Sequence, residues 1–210
     1  MARTAPTDLE RDGWGRGLRH IVGVDEAGCG PLAGPVVAAA VALPVFRRAP
    51  RRLHGVTDSK LVGAADRGDL AAAIREVAVA CSVAAASPRE IERLNIRRAT
   101  GLAMRRAVDR LPLTPDLLLV DGLPVPELEA HEAIVGGDRR SLSIACASIL
   151  AKVTRDALMI RLHRRYPAYG WADNKGYATP IHLAAIREHG PTPHHRAWAP
   201  ILQHELRLEA

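Results

Sequence analysis

Ile21-Val22-Gly23-Val24-Asp25-Glu26-Ala27-Gly28-Cys29-Gly30, continued by Pro35-Val36-Val37-Ala38-Ala39-Ala40-Val41-Ala42, is the stretch on which the fold turns. His20 to Val24 is a short apolar run, and Pro35 to Val45 is a β-branched and Ala-rich one. Two such runs separated by a glycine break read as two strands joined through a tight loop. Asp25 and Glu26 stand where the first strand runs out. Adjacent residues on a regular strand point to opposite faces. Both carboxylates reach one site only if the strand ends there, and the following glycines permit such a backbone.

Outward from this pair of strands, Leu70, Ile74, Val77 and Cys81 recur at helical spacing and predict a helix over 64–83. Ser87-Pro88-Arg89-Glu90 combines a capping-box spacing with Pro at the first helical position, which predicts a helix from 88 to about 110. Leu117 to Val120 and Glu132 to Val135 read as short strands. Ser141 to Arg165 reads as a long helix, Pro167 to Gly170 as a break, and 179–189 as a short helix. Early strands followed by alternating helices and strands give an α/β domain with a mixed sheet. Residues 1–18 read as a loose lead-in, 19–165 as the main domain, and 166–210 as a small helical annex anchored by Trp198. Cys81 and Cys146 read as small core residues on helix faces.

At 210 residues, with 48% hydrophobic and 25% charged residues, the composition is that of one globular domain and excludes disorder. Aromatic residues are only 3%, so Ala, Val, Leu and Ile must build the core. The uncharged stretch ending at Phe46 is interrupted by Pro31, Pro35 and Pro44, which argues against the roughly 20-residue apolar helix a membrane span needs. No secretory signal is visible before the charged residues that follow Met1. Cys29, Cys81 and Cys146 are too widely spaced for a disulfide framework or a zinc knuckle, and suit a reducing cytoplasm. The net charge of +6 favours a polyanion as partner. Among 29 basic residues, Lys stands only at positions 60, 152 and 175. The Arg runs at 47–52 and 161–165 read as exposed faces near nucleic acid.

Asp121 follows Leu117-Leu118-Leu119-Val120 and precedes Gly122; Asp138 follows Ile134-Val135-Gly136-Gly137. Acidic positions thus recur where apolar strands end, which is where α/β sheets place their chemistry. Strand-end aspartates also serve as caps, but their repetition on a basic chain favours a shared site. Carboxylates without His or Cys suit Mg²⁺ or Mn²⁺ rather than zinc. Two such ions can activate water and stabilise a leaving oxygen in phosphodiester cleavage.

Gly23-Val24-Asp25-Glu26-Ala27-Gly28-Cys29-Gly30-Pro31-Leu32-Ala33-Gly34-Pro35-Val36 resembles the first signature of the type 2 ribonucleases H, the ribonuclease HII family. Further matches follow in family order: Asp58-Ser59-Lys60, Leu119-Val120-Asp121-Gly122, Gly137-Asp138, the run from Ala147 to Asp156, and Lys175-Gly176-Tyr177-Ala178-Thr179 with His182 behind it. The resemblance implies a ribonuclease H-like mixed five-stranded sheet flanked by helices, with a C-terminal helical segment. It also implies endonucleolytic cleavage of RNA in RNA–DNA hybrids, and cutting 5′ to single ribonucleotides in duplex DNA, leaving 3′-hydroxyl and 5′-phosphate ends. By the same resemblance, Asp25, Glu26, Asp121 and Asp138 hold Mn²⁺ or Mg²⁺. The turn Gly28, Cys29, Gly30 reads the ribose 2′-hydroxyl through its backbone, and Tyr177 stacks on the sugar beyond the junction.

Two departures stand out: Cys29 occupies a position where the family usually carries Arg, and Leu61 one where it often carries a second Lys. Lys60, Lys152 and Lys175 read as phosphate ligands. Ser148 lies one helical turn from Lys152 and so shares its face in contacting substrate. His182 reads as a support behind a metal ligand, a phosphate contact or a structural histidine, and His194 and His195 as a solvated or phosphate-facing loop. Nothing in the chain demands more than a monomer. The competing readings are a binding module that has lost catalysis and a small-molecule phosphatase. All four acids are present, against the first; the charge and the lack of a Walker-type phosphate loop weigh against the second.

Overall fold

The computed structural model describes residues 4–196. In chain order the elements are α1 (Asp8–Gly15), β1 (Ile21–Ala27), β2 (Val36–Ala42), α2 (Ala64–Val77), β3 (Ala80–Ala86), α3 (Pro88–Asp109), β4 (Leu117–Asp121), β5 (Glu132–Ile134), α4 (Leu142–Arg165), α5 (Trp171–Asn174) and α6 (Pro180–His189). The five strands form one sheet in the order β3-β2-β1-β4-β5. β1 pairs antiparallel with β2 and parallel with β4, so the sheet is mixed as the alternation of elements predicts.

Every residue of β2 is buried, because helices cover both faces of the sheet. On one face Val36, Ala38 and Ala40 pack with Ala99, Ala103 and Met104 of α3. On the other, Ala39 and Val41 pack with Ala145, Ile149 and Leu150 of α4. With so few aromatics the layers approach closely: a Cβ at Gly23 would run into the backbone of Ser143 and Ile144. The first turn of α4 therefore rests directly on β1, two residues before Asp25.

Helix α3 begins with the predicted capping box, Ser87 N–H donating to Glu90 Oε2 at 2.8 Å. It kinks at Asn95, whose φ is +66°. Ser141 caps α4 and Thr179 caps α6, each accepting from a backbone N–H three residues on.

Two expectations need correction. The helix expected over 64–83 ends at Val77, and Cys81 lies on strand β3 opposite Val41. Cys81 continues the helical spacing by coincidence, while the ladder along β2 takes the backbone. The described part of the lead-in, residues 4–18, is not loose. It contains α1, whose fully buried Glu10 accepts from Ser141 Oγ at 2.5 Å, Ser143 N–H at 2.8 Å and Ser143 Oγ at 2.7 Å. The annex packs through Tyr169, Trp171 and Ile186 onto Leu32, Ala33 and Met159; Trp198 lies outside the described residues. Among those described, no helix is long and apolar enough to cross a membrane. The Arg runs are exposed as expected.

Candidate active site

The topology gathers the strand-end acids. β1 and β4 run parallel with Val24 opposite Val120, so Asp25 and Asp121 leave adjacent strands side by side. β5 lies parallel to β4, and the turn that follows it carries Asp138. Gly137 N–H donates to Asp121 Oδ1 at 2.6 Å. A Cβ at Gly137 would stand 2.6 Å from Ile144 Cδ1, so glycine lets this turn close over Asp121.

The electrostatics show a crowded carboxylate cluster. Burial pushes Asp25 well above the usual range, and the charges of Glu26 and Asp121 add to it; the Ser148 hydroxyl and the Glu26 N–H at 2.6 Å oppose the shift. Burial also raises Glu26; the Cys29 thiol hydrogen bond opposes this, Asp121 adds to it and Lys60 opposes it. Asp138 is raised to about 6 by burial and by the charges of Asp58 and Asp121, against Lys60 and Arg139. Asp58 is thus a fifth acid at this site. Its signal was the Asp-Ser-Lys triplet, in which only the lysine was assigned a role.

Such a cluster suits a hard divalent cation, being made of oxygen donors whose mutual repulsion a cation would relieve. The donors are not yet converged. Among the described residues no three His, Cys, Asp or Glu side chains stand so as to hold an ion. Asp121 Oδ1 is taken by Gly137, and Glu26 Oε1 faces the Cys29 thiol at 3.4 Å.

The glycine turn adjoins the acids. Gly28 has φ +101°, and a Cβ there would collide with the Arg155 guanidinium. Arg155 and Arg196 are both buried beneath the turn. Arg196 donates to Gly34, Cys29 and Gly28 carbonyls at 2.9, 2.9 and 2.6 Å. Arg155 donates to the carbonyls of Pro35, Lys175 and Ala33 at 3.0, 3.0 and 3.1 Å. Burial lowers the pKa of both, Arg196 to about 10. Sequence reasoning missed both residues as braces, although Arg155 sits inside a quoted motif. The Cys29 thiol, raised to about 12 by burial and by Glu26, stays protonated between Glu26 and Thr100.

The remaining sequence-derived residues divide. Lys60 is exposed and lies within electrostatic reach of Glu26 and Asp138. Tyr177 is 48% exposed, and its Cε1 lies 3.7 Å from where a Cβ on Gly30 would stand. Lys175, at φ +50°, turns its ammonium to the Ala172 carbonyl. Lys152 is paired with Asp156 at 2.7 Å. Ser148 is buried, hydrogen-bonded to Ser59 at 3.1 Å and to Asp25, so it supports the acid rather than facing substrate. His182 is fully buried, accepting from Trp171 Nε1 at 3.0 Å and donating from Nδ1 to the Tyr177 carbonyl at 2.8 Å; it is not a phosphate contact. His195 is also buried, 3.1 Å from His182, and not the solvated loop residue expected. These polar groups hold up the Tyr177 loop from below.

Residues 22–201 match the family model for ribonuclease HII. A ribonuclease HII of Granulibacter bethesdensis is 56% identical over 90% of this chain and 85% of its own length. One from Paraburkholderia xenovorans is 50% identical over 90% of this chain and 75% of its own. The chain belongs to the ribonuclease HII family. The crystal structure of ribonuclease H2 from Pyrococcus horikoshii superposes with a TM-score of 0.76 at 25% identity, covering 90% of this chain and 98% of that one. This ribonuclease HII family member is therefore a ribonuclease H, a divalent-metal-dependent endonuclease of RNA–DNA hybrids.

Proposed function

We propose that the chain cleaves the RNA strand of hybrids and also cuts on the 5′ side of single ribonucleotides embedded in duplex DNA, leaving 3′-hydroxyl and 5′-phosphate ends. The observation that carries this reading is the glycine turn beside the acids. Among the described residues, the N–H groups of Cys29 and Gly30 have no acceptor within the protein. Donors so placed suit a ribose 2′-hydroxyl, the group that separates RNA from DNA at a given site.

Asp25, Glu26, Asp121 and Asp138 are assigned to hold Mn²⁺ or Mg²⁺. A divalent cation bound there would activate a water and stabilise the leaving oxygen. Lys60 neutralises the acids and faces the substrate phosphate. Gly28, Cys29 and Gly30 present the backbone to the ribose. Tyr177 stacks on the sugar beyond the junction, held by Gly176, whose carbonyl accepts from Leu32 N–H at 2.8 Å. Lys152 reaches phosphate by exchanging Asp156 for it, and Lys175 by leaving the Ala172 carbonyl. The annex from residue 166 completes the substrate site, and one chain carries every part. The three free thiols accord with work in a reducing cytoplasm.

The test is a labelled duplex carrying one ribonucleotide, incubated with Mg²⁺, with Mn²⁺ or with chelator, beside an all-DNA duplex and an Asp121→Asn variant. Metal-dependent cutting at the 5′ side of the ribonucleotide, absent from the variant and from the DNA control, is the expected result. Tight binding without cutting by wild type would favour the binding-module reading instead.

A further inference from the structure

We infer that Arg196, braced by Arg155, is a positioning residue that sets the turn Gly28–Gly30 for recognising a ribonucleotide; this rests on the ribonucleotide reading above. Among the described residues neither guanidinium forms an ion pair with a carboxylate, although both are buried. Two buried cations side by side, neither in contact with a carboxylate among the described residues, are an expensive way to fill a core. Their hydrogen bonds go instead to the carbonyls of five residues between 28 and 35, and to Lys175. The main chain of Arg196 adds another, its N–H donating to Leu32 carbonyl at 2.8 Å.

Two consequences follow for the turn. The carbonyls of Gly28 and Cys29 are drawn inward and occupied, so the backbone groups these residues and Gly30 turn toward the ring of Tyr177 include the free N–H groups of Cys29 and Gly30. The positive charge behind those amides strengthens them as donors in a partly dehydrated site. An N–H held so as to bond a 2′-oxygen is left unpaired by a deoxyribose, and such a loss is what gives hydroxyl recognition its large discrimination. The positioning depends on the planar fork, whose three donors meet three carbonyls of one loop. A lysine keeps the charge but cannot span them.

The test compares wild type with Arg196→Lys on a duplex containing one ribonucleotide and on a continuous RNA–DNA hybrid. Melting temperature and Mn²⁺ affinity are measured beside the kinetics. On a hybrid every register presents a 2′-hydroxyl, whereas the single ribonucleotide offers one. The variant is therefore expected to lose about tenfold or more in kcat on the single ribonucleotide, with KM changed by less than about threefold and a clearly smaller loss on the hybrid. Mn²⁺ affinity is expected to stay unchanged. If Arg196→Lys fails to fold, Arg155→Lys carries the same comparison with Arg196 in place. Equal losses on both substrates, or no loss, overturn the role of Arg196 while the ribonucleotide reading stands. A wild type that cuts the hybrid but leaves the single-ribonucleotide duplex intact overturns that reading, and this role with it.

Discussion

Asp138 carries a proton more tightly in the folded, metal-free protein than in the unfolded chain, because burial and the charges of Asp58 and Asp121 raise it to about 6. An unfolded Asp titrates near 3.9, so the contribution is greatest below about pH 4 and declines as pH rises through 6. Asp138→Asn removes the repulsion. We predict that it stabilises the metal-free protein at pH 7 by about 1 kcal/mol, after allowing for solvent screening, while abolishing cleavage. Denaturant unfolding in chelator measures this, and a variant less stable than wild type would sink the explanation. The acids were legible in the sequence because each closes an apolar strand. Ser148 and His195 were misread because spacing assigns a residue to a face and not to a depth, and burial decides for His182 in favour of the structural alternative. Arg155 and Arg196 were invisible as braces because their partners lie at 28–35, brought to them only by the fold.

At the scale of elements, the contact between β1 and α4 fixes where Asp25 ends up. Gly23→Ala places a methyl against the α4 backbone at Ser143 and Ile144, which has no free side-chain end to yield. We expect a loss of about 2–4 kcal/mol in unfolding free energy, and reduced cleavage even where the protein remains folded. A loss below about 0.5 kcal/mol would show that the two elements are not locked together. The elements themselves were readable wherever a cap or a strand-end signal marked them, as at Ser87 and Ser141. β3 was not, because Cys81 extends the apolar spacing of α2 by one more turn and only pairing with β2 decides against the helix. α1 was missed because it is only eight residues long, mostly polar and carries two glycines, and its fixed point is one buried carboxylate on the cap of α4.

At the scale of the molecule, the annex is tied to the sheet through the glycine turn, and its packing depends on neutral histidines. Burial, together with the neighbouring His182, lowers His195 to about 4. An unfolded His titrates near 6.5, so this contribution to stability is present above about pH 6.5 and is lost as pH falls through 4. It opposes the Asp138 effect over part of the same range, but it is local. Hydrogen exchange corrected for intrinsic rates should show amides of α6 losing protection as pH falls from 6.5 to 4. Protection that does not change there would remove the histidines from the account. The central claim is that acids from three strand ends form one cation site, and the most direct measurement is calorimetric titration of Mn²⁺ into wild type and Asp121→Asn. The account predicts saturable binding that releases protons and weakens as pH falls below about 6, with affinity at least about tenfold lower in a variant of unchanged melting temperature. Equal affinity in the two proteins, without proton release, would contradict it.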